Sequence, residues 1–170
     1  MGIPLYGQNK DGNAIDKALN GGYGQDAGSD LADSTDAVAM TSADFGKTFW
    51  CLLDGAAKTV TLPANVGDAD IGKKIKILQR VDLVASGVLT ISAGSGNTFS
   101  ANSYALGVGI DEFRPSEANN TLTITGAGTN SAFGENSSIT ITVVEGGEYM
   151  LEIDARALGS GNDGIAFTTV

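Results

Sequence analysis

The sequence predicts an all-β fold, an antiparallel β-sandwich or jelly-roll-like barrel with an extended N-terminal arm. Three observations predict it. Short runs of alternating apolar and polar residues recur down the chain, Gly-rich turns separate them, and no long helical pattern follows residue 45. A period of two sets apolar side chains on one face of a pleated strand, whereas a helix repeats about every 3.6 residues. The 24 glycines suit many turns, and 170 residues at 42% apolar content are enough for one domain with a real core.

The strands follow in order. Thr48–Leu53 places Phe49, Cys51 and Leu53 on one face and Trp50 and Leu52 on the other, which predicts a strand covered on both sides. Asp54-Gly55 marks a turn. A half-buried β-ribbon occupies Lys58–Gln79. In it Val60 and Leu62 alternate with Thr59 and Thr61, and Ile75 and Ile77 with Lys74 and Lys76. Pro63 ends the first run because it has no N–H to give a ladder. Val88–Ser92 presents Leu89 and Ile91, and Ala93–Asn97 is a Gly/Ser turn. Thr121–Thr125 sets Leu122 and Ile124 against three threonines. Ser138–Val144 and Tyr149–Ile153 flank Glu145-Gly146-Gly147-Glu148, a hairpin signal, since glycine tolerates the positive φ of a tight turn. Outward faces rich in Thr and Lys discourage stray edge pairing.

The chain divides into three parts. Residues 1–44 read as an acidic, Gly-rich arm with seven aspartates against two lysines. Residues 45–156 read as the β-body, and residues 157–170 as a tail or last strand carrying Ile165, Ala166 and Phe167. Asn13–Asn20 has the pattern of two helical turns, too short to be stable alone. At the very start, Ile3-Pro4-Leu5-Tyr6 is an apolar stretch in a polar segment, which reads as an anchor on another subunit. Tethering to a body already docked gives such an anchor a high effective concentration.

Composition limits the chemistry. A net charge of −10 and a pI near 4.2 argue against nucleic acid and anionic membrane as partners. Histidine is absent and Cys51 is the lone cysteine, which excludes an internal disulfide and a His/Cys zinc site. Gly46-Lys47-Thr48 has the letters of a P-loop end, but Thr41 stands where that loop needs glycine. Gly159–Gly164 spells G-x-G-x-x-G with no room after it for the helix that holds a pyrophosphate. Asp26, Asp30, Asp33 and Asp36 miss the spacing of a calcium loop. Cys51 reads as a buried structural thiol, and the pairs Asp111-Glu112 and Glu145/Glu148 as turn or surface carboxylates. The sequons at Asn119 and Asn136 carry no weight, because the first residues lack a secretion signal. The longest strongly apolar run, Phe49–Leu53, is far short of a membrane span. A non-enzymatic protein made in the cytoplasm, with no cofactor, is expected.

Two segments resemble known proteins. Pro4-Leu5-Tyr6-Gly7-Gln8-Asn9-Lys10 resembles the start of virion structural proteins of marine tailed bacteriophages of the cyanophage type. The block Gly46-Lys47-Thr48-Phe49, Thr59-Val60-Thr61-Leu62-Pro63, Gly72-Lys73 and Leu89-Thr90-Ile91 resembles a β-module of phage head-decoration and fibre proteins. The resemblance implies a capsid decoration (cement) protein on the outer surface of the virion. It also implies a homotrimer that bridges subunits of the major capsid protein, with Ile3, Pro4, Leu5, Tyr6, Gly7, Gln8, Asn9 and Lys10 as the capsid-binding arm. The alternative is a head-fibre or tail-fibre protein whose β-module binds host glycan. Such a site calls for exposed aromatics, and only Trp50, Phe113 and four tyrosines could contribute, most of which the pattern assigns to core or arm roles.

Overall fold

The computed structural model describes residues 26–27, 30–84, 86–107, 110–113, 119–126, 133–156 and 165–168. The arm residues Ile3–Lys10, the Asn13–Asn20 pattern and the glycines of 159–164 lie outside the described residues.

The first half of the body winds between two layers. Along β1 (Asp26–Ala27), β2 (Val38–Ala39), β3 (Lys47–Cys51), β4 (Ala57–Thr61), β5 (Lys74–Gln79) and β6 (Val88–Ser92), successive strands alternate between two sheets. Within each sheet these strands pair in parallel, Asp26 with Lys47 and Thr48 with Lys76 in one, Val38 with Val60 and Val60 with Ile91 in the other. Parallel neighbours need a crossover. Here the crossover is itself a strand of the opposite layer, as in a flattened solenoid.

The second half closes both layers. It comprises β7 (Thr98–Phe99), β8 (Tyr104–Gly107), β9 (Ile110–Phe113), β10 (Thr121–Thr125), β11 (Ser138–Glu145), β12 (Glu148–Ala155) and β13 (Ile165–Thr168). The larger sheet runs β1-β3-β5-β11-β12-β8-β9, with β7 also on β12, and the smaller runs β13-β10-β6-β4-β2. β11 pairs antiparallel with β5 and β12, and β10 with β6 and β13. The β11–β12 hairpin turns through Gly146-Gly147, with Gly147 at φ +82°.

The apolar side chains of both sheets meet in one core. Phe49, Cys51, Ile75, Ile77, Ile139, Ile141, Tyr149, Leu151 and Ile153 come from the larger sheet, and Val60, Leu89, Ile91, Leu122 and Ile124 from the smaller. Turns knit the two halves together. The Pro63 carbonyl accepts from Asn97 Nδ2 at 2.9 Å and from the Tyr149 hydroxyl at 2.8 Å, while Asn97 Oδ1 accepts the Val66 amide at 3.2 Å.

The all-β expectation holds, and the finer geometry differs from it. The sheets are mixed rather than antiparallel, and they do not close into a barrel. Period-two alternation reports which face is buried and is blind to the direction of the neighbouring strand. The two runs of the expected ribbon, β4 and β5, lie in different sheets. Residues 30–44, assigned to the arm from composition, belong to the body. Leu31 and Met40 are buried in the core, Leu31 bridges to Cys51, and β2 pairs with β4. Residues 165–168 form a last strand on β10. The expected Thr48–Leu53 run is not covered on both sides, because Trp50 in β3 is only half-buried and Leu52, just past its end, is 36% exposed.

A corner motif occurs twice. Ala43-Asp44-Phe45-Gly46-Lys47 leads into β3 and Ala69-Asp70-Ile71-Gly72-Lys73 into β5. In each a 3-10 turn is tied by the aspartate, whose carboxylate accepts the amide three residues earlier, Thr41 at 2.8 Å and Gly67 at 3.0 Å. The same carboxylate pairs at 2.7 Å with the lysine three residues later, Lys47 or Lys73. Gly46 and Gly72 then turn the chain at φ +83° and +84°, a region that disfavours any Cβ. Lys73 of the second corner lies over the Phe45 ring of the first, 5.5 Å from its centroid.

Candidate functional site

The outer face of the larger sheet is the candidate site. Alternation sends Phe49, Ile77, Ile141, Leu151 and Ile153 inward, so their chain neighbours must face out. Register then arranges these neighbours in rows. One row runs Thr48, Lys76, Thr140, Glu152, Tyr104 across β3, β5, β11, β12 and β8. The next runs Trp50, Leu78, Ser138, Asp154, Leu106 across the same strands. The face therefore has a lysine column on β5 (Lys74, Lys76), a hydroxyl column on β11 and an acidic column on β12 (Glu152, Asp154). Trp50 and Leu106 stand at the two sides, with Leu106 53% exposed.

Local contacts fix several of these groups. The Arg80 guanidinium lies 4.7 Å from the centre of the Trp50 ring, a cation–π distance. The Tyr104 hydroxyl donates to Glu152 Oε1 at 3.0 Å, and that bond to a carboxylate raises the tyrosine pKa above its ordinary value. Asp154 pairs with Arg156 at 2.8 Å. A shallow depression of about 250 Å³ lies among Tyr104, Leu106, Thr140, Glu152 and Asp154. It offers hydroxyls, carboxylates and one aromatic edge, the groups that bind a polar, hydroxylated ligand or a mixed-charge surface.

A second depression, about 400 Å³, lies beside the hairpin turn and is lined by Thr98, Ser100, Asn102, Glu145 and Glu148. Glu145 and Glu148 are direct partners in the hairpin register. Among the described residues no group of three or more His, Cys, Asp or Glu side chains is placed to hold a metal ion. No helix among the described residues is long and apolar enough to cross a membrane.

The other singled-out residues are built into the fold. Lys47 and Thr48 open strand β3 where a P-loop would open a helix. Asp33 accepts the amides of Asp54 at 3.3 Å and Ala56 at 2.9 Å, and the Ala56 bond leads in holding its carboxyl below the ordinary range. Asp36 accepts from the Ser34 hydroxyl at 3.2 Å. Burial pushes the Cys51 thiol up to about 11, which makes it inert as a nucleophile near neutral pH. Asp111 and Glu112 lie in β9. Lys58 was not foreseen. It takes an inward position on β4, is only 3% exposed, and donates at 3.0 Å to the Ser34 hydroxyl and at 3.0 Å to the Asp36 carbonyl. The signal was present, since Lys58 shares the parity of Val60 and Leu62. The rows of the outer face went unseen because they depend on register between distant strands.

The residues expected to form the arm, Ile3, Pro4, Leu5, Tyr6, Gly7, Gln8, Asn9 and Lys10, lie outside the described residues. No protein-family model, no curated protein and no solved structure matches the chain.

Proposed function

We propose that the chain is a capsid decoration protein. It binds the outer surface of an assembled viral capsid and stabilises it by bridging subunits of the major capsid protein. One observation carries the reading. The segments of the β-module that bear the resemblance are stacked together, since Lys47–Phe49 lies in β3, Thr59–Thr61 in β4 and Leu89–Ile91 in β6, around a common core. A body of this kind is stiff, polar outside and acidic, which suits the outer side of a shell better than the DNA-facing side. Ile3–Lys10 is the capsid anchor in this proposal, and a homotrimer is the assembly the resemblance implies. Several modest contacts on one rigid oligomer add up through avidity, so no single interface need be large. The test is deletion of Met1–Lys10 followed by measurement of occupancy on expanded capsids. Loss of binding is expected; unchanged occupancy removes the anchor from the mechanism.

The depression beside Tyr104 and Glu152 favours one second reading, a fibre protein whose β-module holds host glycan. Copy number per particle separates the two, with hundreds expected for decoration and tens or fewer for a fibre.

A further inference from the structure

In one row of the outer face of the larger sheet two opposite charges, Lys76 and Glu152, stand at equal distances on either side of the central strand β11. The acidic column on β12 and the lysine column on β5 flank the hydroxyl column on β11. Adjacent strands lie about 4.8 Å apart, so Lys76 and Glu152 of one chain are held about 10 Å from each other across the sheet. A two-fold axis lying along β11 and parallel to it changes that relation. Such an axis turns a second copy face down, lays its β12 over the first copy's β5, and keeps each row opposite itself.

We infer that this face pairs with the same face of a second copy, through a two-fold axis along β11. Lys76 of each copy then meets Glu152 of the other, and Trp50 meets Leu106. Thr48 meets Tyr104, Leu78 meets Asp154, Lys74 meets Met150, and Ser138 and Thr140 meet their own counterparts near the axis. Both charged contacts form at once, because an isologous interface repeats every contact. One row farther along, Arg80 is already stacked on Trp50 and Arg156 already paired with Asp154, so these like charges enter with part of their field satisfied.

The same face laid on in the opposite sense, with its axis through this row, would set Lys76 against Lys76 and Glu152 against Glu152, which like-charge repulsion disfavours. A three-fold axis joins two different surfaces of neighbouring copies and never sets a face against itself. The inference therefore goes beyond the decoration reading and does not rest on it. A trimer on a capsid would use other surfaces, while the free protein would pair two by two. Five strands by about five residues give a footprint of about 400 Å² on each copy. That is about half the area each partner contributes to a standard stable interface, so the pairing is weak and concentration-dependent.

Sedimentation of the full chain from low-micromolar to millimolar concentration tests this. A rise from 17.2 kDa to twice that mass is expected, more pronounced at low salt. K76E and E152K each place like charges across the axis and should weaken association by about tenfold or more. Mixed in equal amounts, the two variants should recover a one-to-one heterodimer, because each then carries the charges that the other opposes. L106D should weaken pairing with no rescue by either variant. A wild-type chain that stays monomeric throughout, or that forms only trimers, overturns the inference. So does a mixture of folded K76E and E152K that remains monomeric. Should a variant fail to fold, hydrogen exchange on the wild-type chain decides instead. Concentration-dependent protection must fall on β5, β11 and β12, and protection confined to other strands overturns the pairing.

Discussion

Between β1 and β6 every pairing is parallel and joins positions far apart, such as Asp26 with Lys47 and Val60 with Ile91. The β11–β12 hairpin instead pairs Ser138 with Asp154 and narrows to Glu145 opposite Glu148. The same two layers are thus extended by two rules, one coiling the chain from sheet to sheet and the other folding it back within a sheet. The equilibrium cost of the longer loops is small, since closure entropy grows only with the logarithm of loop length. The kinetic consequence is larger, because pairing across long separations slows folding. The coiled half owes its stability to the shared core and to the corners that turn it, and the hairpin half owes more to local turn chemistry.

Ile77 is the place to break this comparison, because it pairs with Phe49 in parallel and with Ile139 in antiparallel. It is fully buried, and Ile77→Ala is expected to cost about 2–5 kcal/mol in urea unfolding. Trp50 fluorescence reports the coiled half and far-UV circular dichroism reports both. Coincident transitions are expected, and separated ones would show that the halves are independent units.

High pH sharpens the comparison. Burial raises the folded-state pKa of Cys51 from its ordinary 9.0 to about 11, so its contribution is intact below pH 9 and is lost as pH climbs through 11. The loss amounts to about 2–3 kcal/mol. Tyr149, in the hairpin half, is also raised by burial, and the nearby Asp70 charge adds to the shift, so its loss begins above its ordinary 10.0. Cys51→Ala is expected to flatten stability between pH 9 and 10, whereas Tyr149→Phe should change only the more alkaline part. Unfolding midpoints measured against pH check both.

Lys58→Met keeps the side-chain volume and removes the donor to Ser34 and Asp36, leaving a carbonyl and a hydroxyl without that bond. A loss of about 1–3 kcal/mol is expected, with faster amide exchange in residues 33–36 and little change in the hairpin. The smallest effects are expected at the turns. Gly147→Ala and Gly46→Ala each force a Cβ into positive φ and should cost about 1–2 kcal/mol. Gly147→Ala should also speed exchange at the β11–β12 turn, and Gly46→Ala at the start of β3.

Legibility in the sequence follows the same division. Val88–Ser92 and Thr121–Thr125 are strands over the predicted residues, and Gly146-Gly147 is the predicted hairpin turn. Those features are local, since alternation and turn chemistry act within a few residues. Strand direction was not legible, because Thr59-Val60-Thr61 alternates identically whether its neighbour runs up or down. Residues 30–44 were misassigned because their four aspartates, read together with the glycines that precede them, outweighed Leu31 and Met40, which fill the core. The duplicated Ala-Asp-x-Gly-Lys corner was the one signal in the sequence that could have pointed to coiling, and it went unread because two copies of a five-residue pattern are easily lost among other turns. The outer-face rows needed register between β3, β5, β11, β12 and β8, which no local pattern encodes.

The stacking of Lys73 on Phe45 clasps one corner to the next, so the stretch from Gly46 to Gly72 behaves as a modular link with matching ends. A spliced-in duplicate of that link would lengthen both layers by one strand apiece and interrupt one existing pairing in each sheet, β3 with β5 and β4 with β6, leaving the rest intact. Height along the stack is thereby separable from the hairpin that finishes it, and such a body can be made taller without redesigning its lid.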